Sequence, residues 1–101
     1  MEERRKSRRI KIKKLVKIND EPCIMLDISS GGLRVSTDKV PGLPYVKIRF
    51  VINNKVIELD GIIRWRSKEN PFTKLIDLGI AIEKTSYEFD TYIKYLYKKN
   101  N

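Results

Sequence analysis

The sequence predicts a mainly β domain of closed-barrel or sandwich type that ends in a single α-helix. Apolar and polar residues alternate in six short segments separated by turn-forming residues, which is typical of antiparallel strands joined by hairpins. Helical spacing of apolar residues occurs only near the C-terminus. The chain has 101 residues, of which 41% are hydrophobic, and this suits one compact domain with a single core.

The first part of the chain predicts three strands joined by turns. Between Ile10 and Ile18 apolar and basic residues alternate, as expected for a strand with one buried face. Residues that favour turns (Asn, Asp, Pro, Ser and Gly) interrupt the apolar segments. The segments in order are strand 10–18, turn NDEP 19–22, strand CIMLDI 23–28, turn SSGG 29–32 and strand LRVST 33–37.

The second part predicts three further strands, which are YVKIRFVI 45–52, VIELDGIIRWR 56–66 and LIDLGIAIE 75–83. Asn53 and Asn54 favour a tight hairpin between the first two, because asparagine tolerates left-handed backbone conformations. Gly61 stands at an inward-facing position, which suggests a bulge or bend in a curled sheet. The same alternation places Trp65 in the core.

A C-terminal helix is predicted at about 85–99. Its apolar residues recur at helical spacing and form one stripe: Phe89, Ile93, Leu96 and Tyr97. Thr85 and Glu88 have the spacing of a capping box at its start. We expect the stripe to cover the open end of the barrel. The lysines of the helix also fit a membrane-surface element, which is the alternative role.

Positive charge is concentrated at the N-terminus. The chain carries 22 Lys and Arg against 13 Asp and Glu, a formal net charge of +9. Nine of the basic residues and only two of the acidic ones lie within residues 1–17. Such an excess points to a polyanionic partner. We therefore expect a flexible basic arm of residues 1–9, followed by a barrel-and-helix domain of residues 10–101.

The composition excludes several chemistries. With no histidine and one cysteine, Cys23, the chain has neither the ligands of a usual zinc site nor a Ser–His or Cys–His pair. A single cysteine forms no internal disulfide, which favours the reducing cytoplasm. No apolar run approaches the roughly 20 residues that cross a bilayer. Glu58 and Asp60 share a strand face, but alternating charge on a solvated face explains them. We expect no enzyme activity, no metal, no cofactor and no membrane insertion.

Two short motifs suggest a ligand. Arg5 and Arg9 stand four apart just before the first strand, and DISSGG begins with Asp27 at the end of the second. Asp27 and Ser29 are two apart on a strand and therefore emerge on one face. An arginine fork can donate to O6 and N7 of guanine or clamp a phosphate. A carboxylate accepts from the N–H donors on the opposite edge of guanine. The two motifs together fit an anionic guanine nucleotide.

The sequences ERRKSRR and DISSGG, followed by the GIAIE strand and a final helix, resemble a PilZ domain, the receptor family for the bacterial second messenger cyclic di-GMP. The family pattern is an arginine pair with three residues between, then Asp or Asn, one residue, Ser, two residues and Gly. The chain matches it at Arg5, Arg9, Asp27, Ser29 and Gly32. The resemblance implies a six-stranded antiparallel β-barrel with the arginine arm folded across its outer face.

The resemblance also implies roles for individual residues. Arg5 and Arg9 would hold guanine and phosphate, Asp27 and Ser29 would hydrogen-bond guanine, and Gly31 and Gly32 would let the ligand approach the backbone. Arg4, directly before the pair, occupies the position that favours two stacked ligand molecules and a ligand-linked dimer. We also expect candidates for secondary ligand contacts at four further residues: Arg8, Arg64, Trp65 and Arg66.

The predicted function is therefore that of a cyclic di-GMP receptor, active as a monomer or a ligand-linked dimer. Its arm closes over the ligand and alters the surface shown to an unidentified protein partner in trans. The alternative is a small basic barrel that binds single-stranded RNA or DNA. That alternative is disfavoured, because most aromatic residues fall in the helix or at core positions rather than beside basic outward ones. A purely structural interaction module would leave Asp27 and Ser29 unexplained.

Overall fold

A computed structural model describes residues 8–99 as six antiparallel strands closed into a barrel, followed by one helix. The elements are β1 (Ile10–Ile18), β2 (Glu21–Ser29), β3 (Gly32–Thr37), β4 (Tyr45–Ile52), β5 (Lys55–Arg66), β6 (Ile76–Lys84) and α1 (Tyr87–Lys99). Around the barrel the strands follow the order β1-β2-β3-β6-β5-β4, and β4 pairs with β1 to close it. The strand pattern allowed a closed barrel or a sandwich, and the structure is the closed barrel.

Two tight turns contain asparagine, one between β1 and β2 and the other between β4 and β5. Asn53 and Asn54 have φ angles of 48° and 67°, so the predicted hairpin is confirmed. Asn19 and Asp20 have φ angles of 52° and 69° and form a turn of the same kind. Because this turn needs only two residues, β2 begins at Glu21, and the predicted four-residue turn at 19–22 was too long.

The barrel core is built from the inward-facing residues of all six strands and the apolar face of α1. The helix contributes Phe89, Ile93 and Leu96 to the same buried cluster as the strands. Phe89 is fully buried, and burial of such a side chain stabilises the fold by roughly 1.5–3 kcal/mol. The packing of α1 on the barrel core agrees with the predicted covering role. Between residues 8 and 99, no helix is both long and apolar enough to cross a bilayer.

The helix begins one residue later than the capping-box prediction requires. Ser86 is the N-cap, because its Oγ accepts a hydrogen bond from the backbone N–H of Phe89 at 3.1 Å. Thr85 Oγ1 instead donates to Asp90 Oδ2 at 3.3 Å. The predicted capping box of Thr85 and Glu88 is therefore wrong. Both Thr85 and Ser86 carry a hydroxyl that suits an N-cap, and the hydrogen bond from Phe89 assigns that position to Ser86.

Irregularities in strand pairing change which residues face outward. Between Ile63 and Trp65 the register of β5 against β6 shifts, because Ile63 pairs with Ile80 and Trp65 with Gly79. Arg64 is the extra residue, so Trp65 faces outward and is 45% exposed. The expected core position of Trp65 is wrong for this reason. A second shift occurs beside Gly61, where Asp60 pairs with Lys84 and Gly61 with Ile82, so the bulged residue is Glu83 on β6 rather than a residue of the Gly61 strand.

Cys23 provides a pH test of the core. Burial raises the pKa of its thiol from 9.0 to about 11. Since the folded pKa lies above the unfolded one, the thiol contributes stability that is present below about pH 9 and lost as the pH rises through about 11. We expect this group to lower the free energy of unfolding by about 2–3 kcal/mol between about pH 8 and pH 11.5. Urea unfolding over this range measures the fall, which should be smaller in Cys23→Val. Parallel pH curves for the two proteins would contradict this account.

Candidate ligand-binding site

One row of outward-facing residues crosses five strands of the barrel. Successive strand pairings place Lys11 beside Asp27, Asp27 beside Arg34, Arg34 beside Gly79 and Gly79 beside Trp65. A bulge in β2 also contributes to this alignment. Met25 pairs with Val35 and Asp27 with Arg34, so Leu26 is the extra residue between them. The row therefore joins the motif on β2 to the tryptophan on β5.

Two arginines hold the carboxylate of Asp27, which is only 6% exposed. Arg9 Nη1 donates a hydrogen bond to Asp27 Oδ1 at 2.7 Å. Arg34 Nε lies 3.0 Å from Asp27 Oδ2, close enough for an ion pair but not aligned as a hydrogen bond. Arg34 Nη1 is also 3.9 Å from Asp77 Oδ2. Burying an unpaired charge costs free energy, and these contacts offset that cost for the Asp27 carboxylate.

The sequence interpretation missed Arg34, although a signal for it was present. The turn between β2 and β3 consists of Ser30 and Gly31, so Ser29 pairs with Gly32. Counting back along the hairpin from that pair places Arg34 directly opposite Asp27. An arginine opposite an aspartate on the same hairpin face is a favourable cross-strand pair.

Ser29 organises the glycine turn. Its Oγ accepts a hydrogen bond from the N–H of Gly31 and donates one to the carbonyl of Gly32, both at 3.3 Å. Neither glycine has a positive φ angle, so left-handed backbone does not explain their presence. At Gly32 the reason is space, because a Cβ there would lie 2.5 Å from the carbonyl oxygen of Ile80.

A shallow hollow of about 240 Å³ lies beside these motifs. Its lining combines predicted site residues with backbone of β6: Arg9, Ser29, Gly31, Gly32, Arg64, Trp65, Gly79, Ile80 and Ala81. The indole of Trp65 lies directly over Gly79, where a Cβ would overlap it. The hollow thus offers a flat aromatic surface, two guanidinium groups and a glycine backbone within one small region.

The structure places the remaining predicted site residues in different ways. Asp27 is next to the hollow through its bond to Arg9 but does not line it. Arg66 is exposed and is not part of the lining. Arg4 and Arg5 lie outside the described residues, so their predicted roles stay predictions.

Arg8 turns away from the hollow toward the C-terminal helix. Its Nη2 donates to the carbonyl of Tyr97 at 3.1 Å, and its guanidinium lies 5.2 Å from the centre of the Tyr97 ring. The hydroxyl of the same tyrosine accepts a hydrogen bond from the backbone N–H of Ser30 at 3.1 Å. Tyr97 therefore connects the base of the arm, the helix and the motif turn.

A larger hollow of about 610 Å³ lies elsewhere, beside β4 and the start of β5. Several of its charged side chains already pair with one another. Lys47 Nζ donates to Asp60 Oδ1 at 2.7 Å, which raises the pKa of the lysine and lowers that of the carboxyl. Arg49 Nε donates to Glu58 Oε2 at 3.2 Å. We favour the smaller hollow as the functional site, because it is the one that gathers the two sequence motifs.

A family model described as PilZ domain matches residues 3–97. The chain belongs to the PilZ domain family. This membership confirms the resemblance carried by the two motifs, and it assigns the chain to a family of cyclic di-GMP receptors rather than enzymes. The match runs from the arm to the final turn of α1 and thus covers the barrel as well as both motifs.

Among solved structures, this PilZ domain is similar to the Bacillus subtilis inhibitor of motility, MotI/DgrA. The TM-score is 0.73 at 18% sequence identity, and the alignment covers 97% of the present chain. The chain spans about half of that protein, of which 51% is covered. At this identity the likeness shows a shared fold. No curated protein matches the chain significantly.

The contact between Gly79 and Trp65 can be tested by Gly79→Ala. The added methyl would overlap the indole, so we expect Trp65, the single tryptophan, to move outward. Its fluorescence emission should shift to longer wavelength, and the free energy of unfolding should fall by about 1–3 kcal/mol. Gly42→Ala is the matched control, because no heavy atom lies within 4 Å of a Cβ built there. Wild-type emission in both variants would contradict the contact.

Proposed function

We propose that this PilZ domain is a receptor that binds cyclic di-GMP in the hollow beside the DISSGG turn. The observation that carries the proposal is the convergence of the two motifs, since Arg9 of the arginine pair bonds Asp27 and both Arg9 and Ser29 border one hollow with Trp65. Guanine has a flat face for Trp65, acceptors for an arginine fork and donors for a carboxylate. The arrangement can therefore recognise guanine on three sides.

The size of the hollow supports a role for the arm. Pockets for small molecules usually measure about 300–1,000 Å³, whereas this hollow measures about 240 Å³. It suits part of a dinucleotide, and the rest requires a second wall. Residues 1–9 are the candidate for that wall, with Arg5 contacting guanine or phosphate and Arg4 favouring a second ligand molecule. Closure of the arm would alter the surface shown to a protein partner, whose binding in the cytoplasm we propose as the output.

Ligand binding would exchange an internal ion pair for contacts to the ligand. Arg9 and Asp27, both proposed ligand contacts, are bonded to each other at 2.7 Å. When Arg9 turns to the ligand, Asp27 would become a buried charge with one partner fewer. Arg34 remains beside it at 3.0 Å and would supply a counter-charge that orients the carboxylate toward the N–H donors of guanine. Arg34 is thus a positioning residue in this proposal.

Isothermal titration with cyclic di-GMP, cyclic di-AMP and GMP tests the proposed function. We expect a guanine-selective signal in the wild type and a loss of affinity of about tenfold or more in Arg9→Ala and in Asp27→Ala. Arg49→Ala is the matched control, because it removes an arginine from β4, which does not contribute to the hollow. No guanine-selective binding, together with tight and steeply salt-dependent binding of oligonucleotides, would favour the nucleic-acid alternative.

The role of Arg34 has its own test. We expect Arg34→Met to weaken cyclic di-GMP binding by roughly tenfold while the far-UV circular dichroism spectrum stays that of the wild type. Arg34→Lys should recover part of the affinity, because it restores the positive charge beside Asp27 without the planar fork. Wild-type affinity in Arg34→Met would show that Arg9 and the protein backbone suffice to position the carboxylate.

A further inference from the structure

Four exposed aliphatic side chains form a row on the outer face of the barrel, far from the hollow. This apolar stripe consists of Ile24, Leu15, Val51 and Val56, which are 39%, 63%, 51% and 56% exposed. Leu15 pairs with Ile24 across β1 and β2, and Val51 pairs with Val56 across β4 and β5. At the β1–β4 seam Lys17 pairs with Arg49, and Leu15 and Val51 each stand two residues further along their strands, on the same side of that pair.

The stripe and the hollow occupy opposite sides of the barrel. In the closed order β1-β2-β3-β6-β5-β4, the boundary between β3 and β6 lies opposite the boundary between β4 and β1. The hollow is built around the first boundary and the stripe around the second. A partner on the stripe would therefore leave the hollow accessible.

The core does not account for these four side chains. Their inward-facing neighbours in sequence, Val16, Phe50 and Ile57, already fill the barrel and are 1%, 3% and 2% exposed. On β1, β4 and β5 the outer face next to the stripe is charged, as an antiparallel sheet with one solvated face should be. The exposed residues that continue this face along the same strands are Lys13, Lys17, Arg49 and Glu58. The stripe is thus an apolar break in a charged surface, a feature that marks interaction sites.

The charges around the stripe indicate what it would bind. Lys13 and Lys17 flank Leu15 on β1, are exposed, and form no ion pair with any carboxylate among residues 8–99. Two acidic groups nearby share one positive charge, because Arg49 lies 3.3 Å from Asp20 and 3.2 Å from Glu58. Together with Lys13 and Lys17, these charges sum to +1. The β1 border of the stripe is therefore positive, and its complement is an acidic surface.

The side-chain chemistry favours protein over other polyanions. Single-stranded nucleic acids stack on aromatic residues, whereas the stripe holds only Leu, Ile and Val. Anionic lipid surfaces attract uniformly basic faces, whereas the border of the stripe also carries the carboxylates of Asp20 and Glu58. A second copy of the chain would present the same lysine border rather than an acidic complement to it. The fully buried centre of a protein interface is apolar and its rim is polar, which matches aliphatic side chains bordered by lysines.

We infer that the apolar stripe is a docking surface for an acidic protein segment that carries apolar anchor residues. The inference does not depend on the proposed cyclic di-GMP binding, because it concerns the opposite side of the barrel. The aliphatic side chains supply the desolvated centre of the contact, and Lys13 and Lys17 supply attraction and register.

Selection of displayed random peptides on the wild-type protein, with counter-selection on Leu15→Thr/Val56→Thr, tests the inference. Threonine is β-branched, a shape that strands favour, so the variant should stay folded. We expect the enriched peptides to be acidic with spaced apolar residues and to lose about tenfold or more in affinity for the threonine variant. Their binding to Lys13→Glu/Lys17→Glu should also weaken. Phe72→Ser and Lys68→Glu, which remove an exposed apolar residue and a lysine elsewhere, should bind as the wild type does.

Several results would overturn the inference. These are a selection that returns no stripe-dependent peptide, enriched peptides that are neutral or basic, and equal affinity for the wild type and the threonine variant. Stripe-dependent sedimentation with phosphatidylglycerol vesicles would assign the surface to a membrane instead. Stripe-dependent dimerisation in analytical ultracentrifugation would assign it to a second copy of the chain.

Discussion

Strand β3 pairs with β6 rather than with its neighbour in sequence, β4, and both the closed barrel and the candidate site depend on this pairing. The two strands approach closely at Gly32, where a Cβ would lie 2.5 Å from the carbonyl oxygen of Ile80. One step along, the outward position on β6 is Gly79, which leaves room for the indole of Trp65. Because β5 lies on the far side of β6, this contact brings the tryptophan to the face of the barrel that carries Asp27.

The buried carboxylate of Asp27 imposes a second constraint on the same face. Its two arginine partners differ in how they are held, since Arg34 projects from the middle of β3, whereas Arg9 directly precedes β1. One partner therefore belongs to the hydrogen-bonded sheet and the other to the segment that leads into the arm. In the proposed ligand binding, this division would let Arg9 exchange partners while the carboxylate keeps a counter-charge. An unpaired buried charge would cost about 3–5 kcal/mol.

A closed barrel of this kind has an outer surface that the core does not require. Alternate residues of each strand fill the interior, and α1 completes it with Phe89, Ile93 and Leu96. The outward residues can then differ from one side to another, with the candidate hollow at the β3–β6 boundary and an apolar, lysine-bordered stripe at the β1–β4 seam. Tyr97 supports the first of these from outside the sheet, because it contacts both Arg8 and the turn at Ser30.

Local sequence determined the elements of this protein, because strand alternation, turn residues and helical spacing act over a few neighbouring positions. It also placed Asp27 and Ser29 on one face, and the two motifs carried the family resemblance. Tertiary structure alone decided where Trp65 points, since the bulge at Arg64 reverses the alternation and arises only when β5 pairs with β6. It also decided the partners of Asp27. The register of β3 and the approach of Arg9 set those contacts, and pairing between distant segments follows from barrel closure rather than from local propensity.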